Sequence, residues 1–183
     1  MELPGFNLDV DHTALGPTGF WVLETKTWSG EIYYDPTYGW RRTDEYGILR
    51  PAESAPDKDC QRTINTLKTL LKAVDADPGW INGVVVFIGG THRGANLIIP
   101  TPPRNVAVVV HEEAPSIILN RPQIYAEEKI VALSQAVDQI SARTYCTHCG
   151  AKLPSIRASR CPLCGRSPRG FDSNLNEFFE GLR

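Results

Sequence analysis

Four of the five cysteines in this 183-residue chain fall within 19 positions, as Cys146-Thr-His-Cys149-Gly and Cys161-Pro-Leu-Cys164-Gly. Two thiolates separated by two residues can bind one ion from a single tight turn. The Gly after each second cysteine permits the left-handed backbone that such a turn needs. Two turns of this kind supply one sulfur tetrahedron. Disulfides are the competing use, but the N-terminus MELPGFNLDVDH has neither a basic n-region nor an apolar h-region, so a cytoplasmic, reducing setting is expected and the spacing predicts a four-thiolate zinc site. His148, between two sulfur ligands, reads as an exposed turn residue. The solitary Cys60 reads as a small core residue.

A second set of chemical groups sits near the N-terminus. Residues 8–15 and 20–28 have strand character and are joined by Gly16-Pro17-Thr18-Gly19, a compact turn sequence. With that turn, Asp11 faces Glu24 across a hairpin and Lys26 shares their face. Opposed carboxylates repel unless something positive lies between them. A divalent metal ion would serve. Spacing alone leaves open the plainer case of two solvated carboxylates with Lys26 as a local ion pair, and a one-residue slip would separate the faces.

The elements that must position these groups are short and mixed. Residues 29–56, rich in Gly, Pro, Tyr and Trp, suggest one further strand around Gly30–Tyr34 and then a loop. From Asp57 to Val74 the residues Cys60, Ile64, Leu67, Leu71 and Val74 form one stripe of an amphipathic helix. Gly83–Ile88 and Asn105–His111 are apolar runs of buried-strand length. Residues 122–141 predict a second helix, with Pro122 in its first turn and Ile130, Leu133, Val137 and Ile140 on one face. The cysteine module follows without a linker, and Asp172–Arg183 reads as a short docking helix. The expected division is therefore 1–141 and 142–183.

Composition is that of a soluble globular protein, 42% apolar and 22% charged, and no stretch approaches the ~18 apolar residues of a membrane span. The net charge of -2 hides an asymmetry: the first 140 residues hold 12 Lys and Arg against 18 Asp and Glu, the last 43 hold seven against three. Arg157, Arg160, Arg166 and Arg169 surround the second cysteine pair, either as a phosphate-binding surface or as a solvated face.

The string Val10-Asp11-His12, Gly16-Pro17-Thr18-Gly19 and Val22-Leu23-Glu24-Thr25-Lys26-Thr27-Trp28-Ser29-Gly30 resembles the nuclease-related domain (NERD) family of the PD-(D/E)XK nuclease superfamily. Gln61 resembles the Gln that opens the family's next helix, and members are often followed by a zinc ribbon. The resemblance, over roughly residues 8–111, implies an α/β, restriction-endonuclease-like mixed sheet flanked by helices, plus a small C-terminal zinc ribbon. It implies Mg or Mn on Asp11 and Glu24, with Lys26 positioning the attacking water and Gln61 orienting the site; the Thr25 carbonyl, between the two site positions of the strand, is expected to add a third ligand. His12 matches the motif without an assigned role. The family's usual N-terminal helix with its acid, and a preceding strand, are missing before Asp11, and Glu2 does not replace them. The core is therefore expected to be truncated, with one sheet face bare or covered by a second copy or protein partner.

Two functions follow. One is metal-dependent cleavage of nucleic acid, DNA foremost, with the zinc ribbon aiding binding. The other is a non-catalytic nucleic-acid or protein adaptor on a truncated nuclease scaffold.

Overall fold

The computed structural model describes residues 11–89, 95–144, 146, 148–149, 151, 153 and 160–166. These fall into two compact units, one within Leu8–Leu133 and one from Ser134 onward. In chain order the elements are β1 (His12–Gly16), β2 (Gly19–Lys26), β3 (Gly30–Asp35), β4 (Gly39–Thr43), β5 (Leu49–Pro51), α1 (Pro56–Lys72), β6 (Ile81–Phe87), β7 (Ala95–Ile98), β8 (Val106–Val110), α2 (Ala114–Leu119) and α3 (Glu127–Thr144).

The hairpin forms in the register that its turn dictates. Pro17-Thr18 makes the turn between β1 and β2, and the antiparallel ladder runs from Gly16↔Gly19 to His12↔Leu23. On its other edge β2 pairs in parallel with β6, and β6 in parallel with β8, giving the order β1-β2-β6-β8. Parallel neighbours need a long crossover, and α1 lies in the β2-to-β6 connection.

Helix α1 starts at Pro56 and carries Asp57 and Asp59 in its first turn and Lys72 in its last, an order that complements the helix dipole. Most of its expected stripe is buried, Cys60, Ile64, Leu67 and Leu71, joined by Thr63 and Leu70, while Val74 lies past the helix end at Lys72 and is half-buried. The helix covers the sheet face bearing Gly83. A Cβ at Gly83 would stand 2.9 Å from Cys60 Sγ and 3.0 Å from Ile64 Cδ1, so the missing side chain is what admits the helix. Burying a side chain such as Ile64, Leu71 or Phe87 contributes about 1.5–3 kcal/mol each.

The opposite face, expected to be bare, is occupied. Trp21, Val84, Val86 and Val109 pack there with Ala114, Ile117 and Ile118 of the short helix α2, which sequence periodicity did not reveal. Six residues, with Ala114 and the run Ile117–Leu119 apolar, are too few to show a period.

The α/β architecture is as expected, mixed sheet flanked by helices, but the strands form two mixed sheets. β3 pairs antiparallel with β4 and β4 with β5, while β7 joins β3 in parallel, giving β5-β4-β3-β7. The segment after Tyr34, expected to be loop, therefore holds two strands. Phe87 of the first sheet contacts Trp28 and Trp40, each with ring centroids 5.6 Å away, and Trp40 Nε1 donates to Asp57 Oδ1 at 2.8 Å. Aromatic packing thus fixes the second sheet to the first and to the start of α1.

The last helix begins at Glu127, not Pro122. Residues 122–126 are an extended strap whose backbone is committed elsewhere: Ile124 N and Tyr125 N donate to Pro17 O, and the Tyr125 hydroxyl donates to Pro78 O. These long-range bonds hold the strap out of the helix that its apolar spacing suggests. Farther on the reading holds, with Leu133 and Ile140 buried on one face. No described helix is long and apolar enough to cross a membrane.

Candidate active site

Glu24 and Lys26 lie two apart on β2, so their side chains share the face covered by α1. Glu24 is only 7% exposed, and Lys26 Nζ donates to its Oε1 at 2.5 Å. The plain reading of solvated carboxylates therefore fails for Glu24. Burial of the carboxylate pushes its pKa above the ordinary 4.5; the Lys26 ammonium opposes that shift, while the charges of Asp11 and Asp59 add to it.

Asp11 lies one residue before β1 and reaches across the open end of the hairpin. Its Oδ2 accepts from Thr25 N at 2.7 Å and Thr25 Oγ1 at 2.8 Å. Asp11 is thus tied to the residue between Glu24 and Lys26, outside the regular ladder, rather than stacked directly against Glu24. The Lys26 carbonyl accepts Ile88 N at 2.8 Å on the β6 side. Carbonyls alternate along a strand, so Thr25 C=O points to the β1 side, where Asp11 sits. The structure brings Asp11, Glu24, Thr25 and Lys26 together.

Two other residues behave differently. Gln61, on the second turn of α1, donates through Nε2 to Asn65 Oδ1 at 3.2 Å, within its own helix. His12 is exposed at the start of β1. Cys60 is fully buried, with Sγ 3.8 Å from Val22 O, and burial together with the Glu24 charge pushes its thiol up to about 12. It is an inert core thiol. Sequence reasoning missed Asp59, whose charge reaches Glu24 from the first turn of α1. The signal was its place beside Cys60, whose stripe faces β2.

The donor chemistry fits a hard divalent ion: two carboxylates and an outward-turned backbone carbonyl are oxygen ligands of the kind that Mg and Mn take. Two donors occupy one oxygen of Asp11, and none of the described residues bonds Oδ1.

The four clustered cysteines meet the geometry of a metal site independently. All four sulfurs lie within 4.8 Å of one another, with Cys146 to Cys164 and Cys149 to Cys161 both at 3.7 Å. Zinc–sulfur bonds of about 2.3 Å in a tetrahedron place sulfurs about 3.8 Å apart. The cluster could hold a metal such as zinc. Cys161 N donates to Arg166 O at 2.8 Å and Gly165 N to Cys161 O at 2.9 Å, with Gly165 at φ 69°, as its place after the second cysteine requires. His148 is exposed and outside the cluster. Arg160 and Arg166 are exposed; Arg157, Arg169 and the segment Asp172–Arg183 lie outside the described residues.

Residues 2–88 match the family model of the nuclease-related domain, a span that includes the whole β1–β2 hairpin, the second sheet's meander, α1 and β6. No curated protein and no solved structure matches the chain. The buried Glu24–Lys26 pair, the Asp11 tie and the parallel β2–β6 core all fall inside that match, so residues 2–88 carry the similarity to the nuclease-related domain family.

Proposed function

We propose that the protein is a metal-dependent nuclease that hydrolyses phosphodiester bonds in DNA, with the cysteine module as a structural zinc ribbon that adds affinity for nucleic acid. The observation that supports this best is the burial of Glu24 against Lys26, with the Asp11 charge beside it. A buried acid beside a lysine and a second acid costs folding free energy, and such arrangements cluster where chemistry is done.

In this reading Asp11, Glu24 and the Thr25 carbonyl would hold Mg or Mn, which would supply Lewis acidity and lower the pKa of the attacking water. Lys26, fixed by Glu24, presents an ammonium where the attacking water and the scissile phosphate oxygens meet and offsets the charge that develops there. Thr25 holds Asp11 in position through two hydrogen bonds. Gln61 assists from α1 by leaving Asn65. The family resemblance implies attack in line with O3′ as leaving group: the P–O3′ bond breaks as the bond from water to phosphorus forms, leaving 5′-phosphate and 3′-hydroxyl ends.

Linear and circular DNA incubated with Mg, with Mn and with EDTA tests the reading. Wild type cleaves with either metal and stops in EDTA, while Asp11→Ala, Glu24→Ala and Lys26→Ala each lose at least about 100-fold in rate, the scale of a lost proton-transfer or charge-stabilising group. Cleavage that survives Lys26→Ala or EDTA, or a folded wild type that never cleaves, refutes it; the second result leaves the adaptor reading.

A further inference from the structure

The face of the second sheet that packs on Phe87 carries two arginines set directly opposite each other. Arg42 on β4 and Arg50 on β5 are direct cross-strand partners, and Ile32 faces Arg42 from β3. Like charges placed directly opposite destabilise a sheet. Each guanidinium has one carboxylate partner: Arg42 meets Glu53 at 2.8 Å and Arg50 meets Asp44 at 3.0 Å. Glu53 is 76% exposed and Arg50 60%, so both pairs are of the weak, solvent-screened kind. Asp44 is already committed to its turn through Ile48 N and Tyr46 N.

The pair is linked to the catalytic strand. Arg42 lies 5.8 Å over the Trp28 ring, Trp28 packs on Phe87, and Phe87 is the ladder partner of Lys26. Stacked on an aromatic ring, Arg42 presents its fork with little further loss of side-chain freedom. A planar guanidinium held this way suits a phosphate oxygen pair.

We propose that Arg42 and Arg50 bind backbone phosphates of the nucleic-acid substrate beside the scissile one, so that the nuclease-related domain has a phosphate track of its own, separate from the arginines of the cysteine module. The proposal rests on the nuclease reading for its substrate. In the bound state phosphates displace Glu53 and Asp44 from the guanidinia.

The test uses the full chain, without added Mg or Mn, and the anisotropy of labelled DNA duplex, single-stranded DNA and RNA duplex over about 50 to 300 mM salt. Each lost phosphate contact flattens the log–log salt slope by about 0.9 for duplex DNA, so Arg42→Gln with Arg50→Gln flattens it by about 1.8. Arg42→Lys keeps the charge and keeps the slope. Glu53→Gln frees Arg42 and tightens binding about 1.5- to 5-fold, the weight of an exposed ion pair. That gain is what a merely structural pair would not give. An unchanged slope in the folded double variant, or unchanged affinity in Glu53→Gln, overturns the proposal. Cleavage of the same duplex with Mg separates the two ideas: a flattened slope without wild-type cleavage sinks the nuclease reading alone, and cleavage with an unchanged slope sinks the arginine track alone.

Discussion

The hairpin acids and the C-terminal cysteines are both donor sets suited to metals, but they are held in opposite ways. Glu24 and Lys26 sit on a strand paired on both edges, under a 17-residue helix and beside an aromatic cluster. Among the described residues, the buried core around Cys146 and Cys161 holds Leu153, with Ala151 partly buried against it. In the first region apolar packing makes the site. In the second, the described residues offer the four thiolates little packing, so a bound metal is expected to supply much of the folding free energy. A donor set can therefore be a product of a fold or its cause, and the amount of apolar burial around it tells which.

The largest expected effect tests the cysteine side. Structural zinc contributes on the order of 10–16 kcal/mol of binding free energy to such a module. Cys146→Ser with Cys161→Ser should abolish bound zinc, measured by elemental analysis, and destroy protection of amides 146–166 in hydrogen exchange while β2 and β6 stay protected. Loss of protection in both regions would break the contrast.

Phe87→Ala is the converse. Removing this fully buried ring should cost about 3–5 kcal/mol and lower the midpoint of urea unfolding followed by tryptophan fluorescence, with zinc content unchanged. A smaller cost, about 1–3 kcal/mol, is expected for Gly83→Ala, because the added methyl meets Cys60, Ile64 and Val106 at 2.9 to 3.2 Å. That change pushes α1 away from the strand beside Glu24, so it should weaken cleavage as well as stability.

The smallest effect is on pH. The Glu24 pKa lies above 4.5 because of burial first. A raised carboxylate pKa favours the folded state while the group is protonated, and that contribution fades as pH rises from the ordinary value through the raised one. Metal binding needs the ionised form and runs the other way. Mn affinity, followed by calorimetry, should fall as pH drops through the raised value, and Glu24→Gln should remove that dependence together with most of the affinity.

The same contrast explains what the sequence could tell. Cysteine spacing is a local code, and the sulfur cluster follows from it directly. The hairpin register was legible because a two-residue turn fixes every cross-strand partner, and α1 because its stripe spans four turns. The strands β4 and β5 were not, since Gly39–Thr43 mixes Trp and Arg without apolar alternation and Leu49–Pro51 is three residues long. Residues 122–126 misled because Pro122 and the apolar residues behind it look like a helix start, while the bonds to Pro17 that hold them extended come from 107 positions away. Glu24 looked like a surface acid for a similar reason: the helix that buries it is contributed by a later part of the chain.

The parallel pairing of β2 also sets a timetable for synthesis. At about 5–20 residues per second, roughly 5–20 s separate the making of Lys26 from that of Tyr125, the strap residue tied to Pro17 and Pro78. β1 can cover one edge of β2 at once. The other edge waits for β6, and Phe20-Trp21-Val22-Leu23 stays without its α1 and α2 covers in the meantime. An uncovered strand of this composition is an aggregation template, so the stretch that carries Glu24 and Lys26 is where a nascent chain has most need of a chaperone.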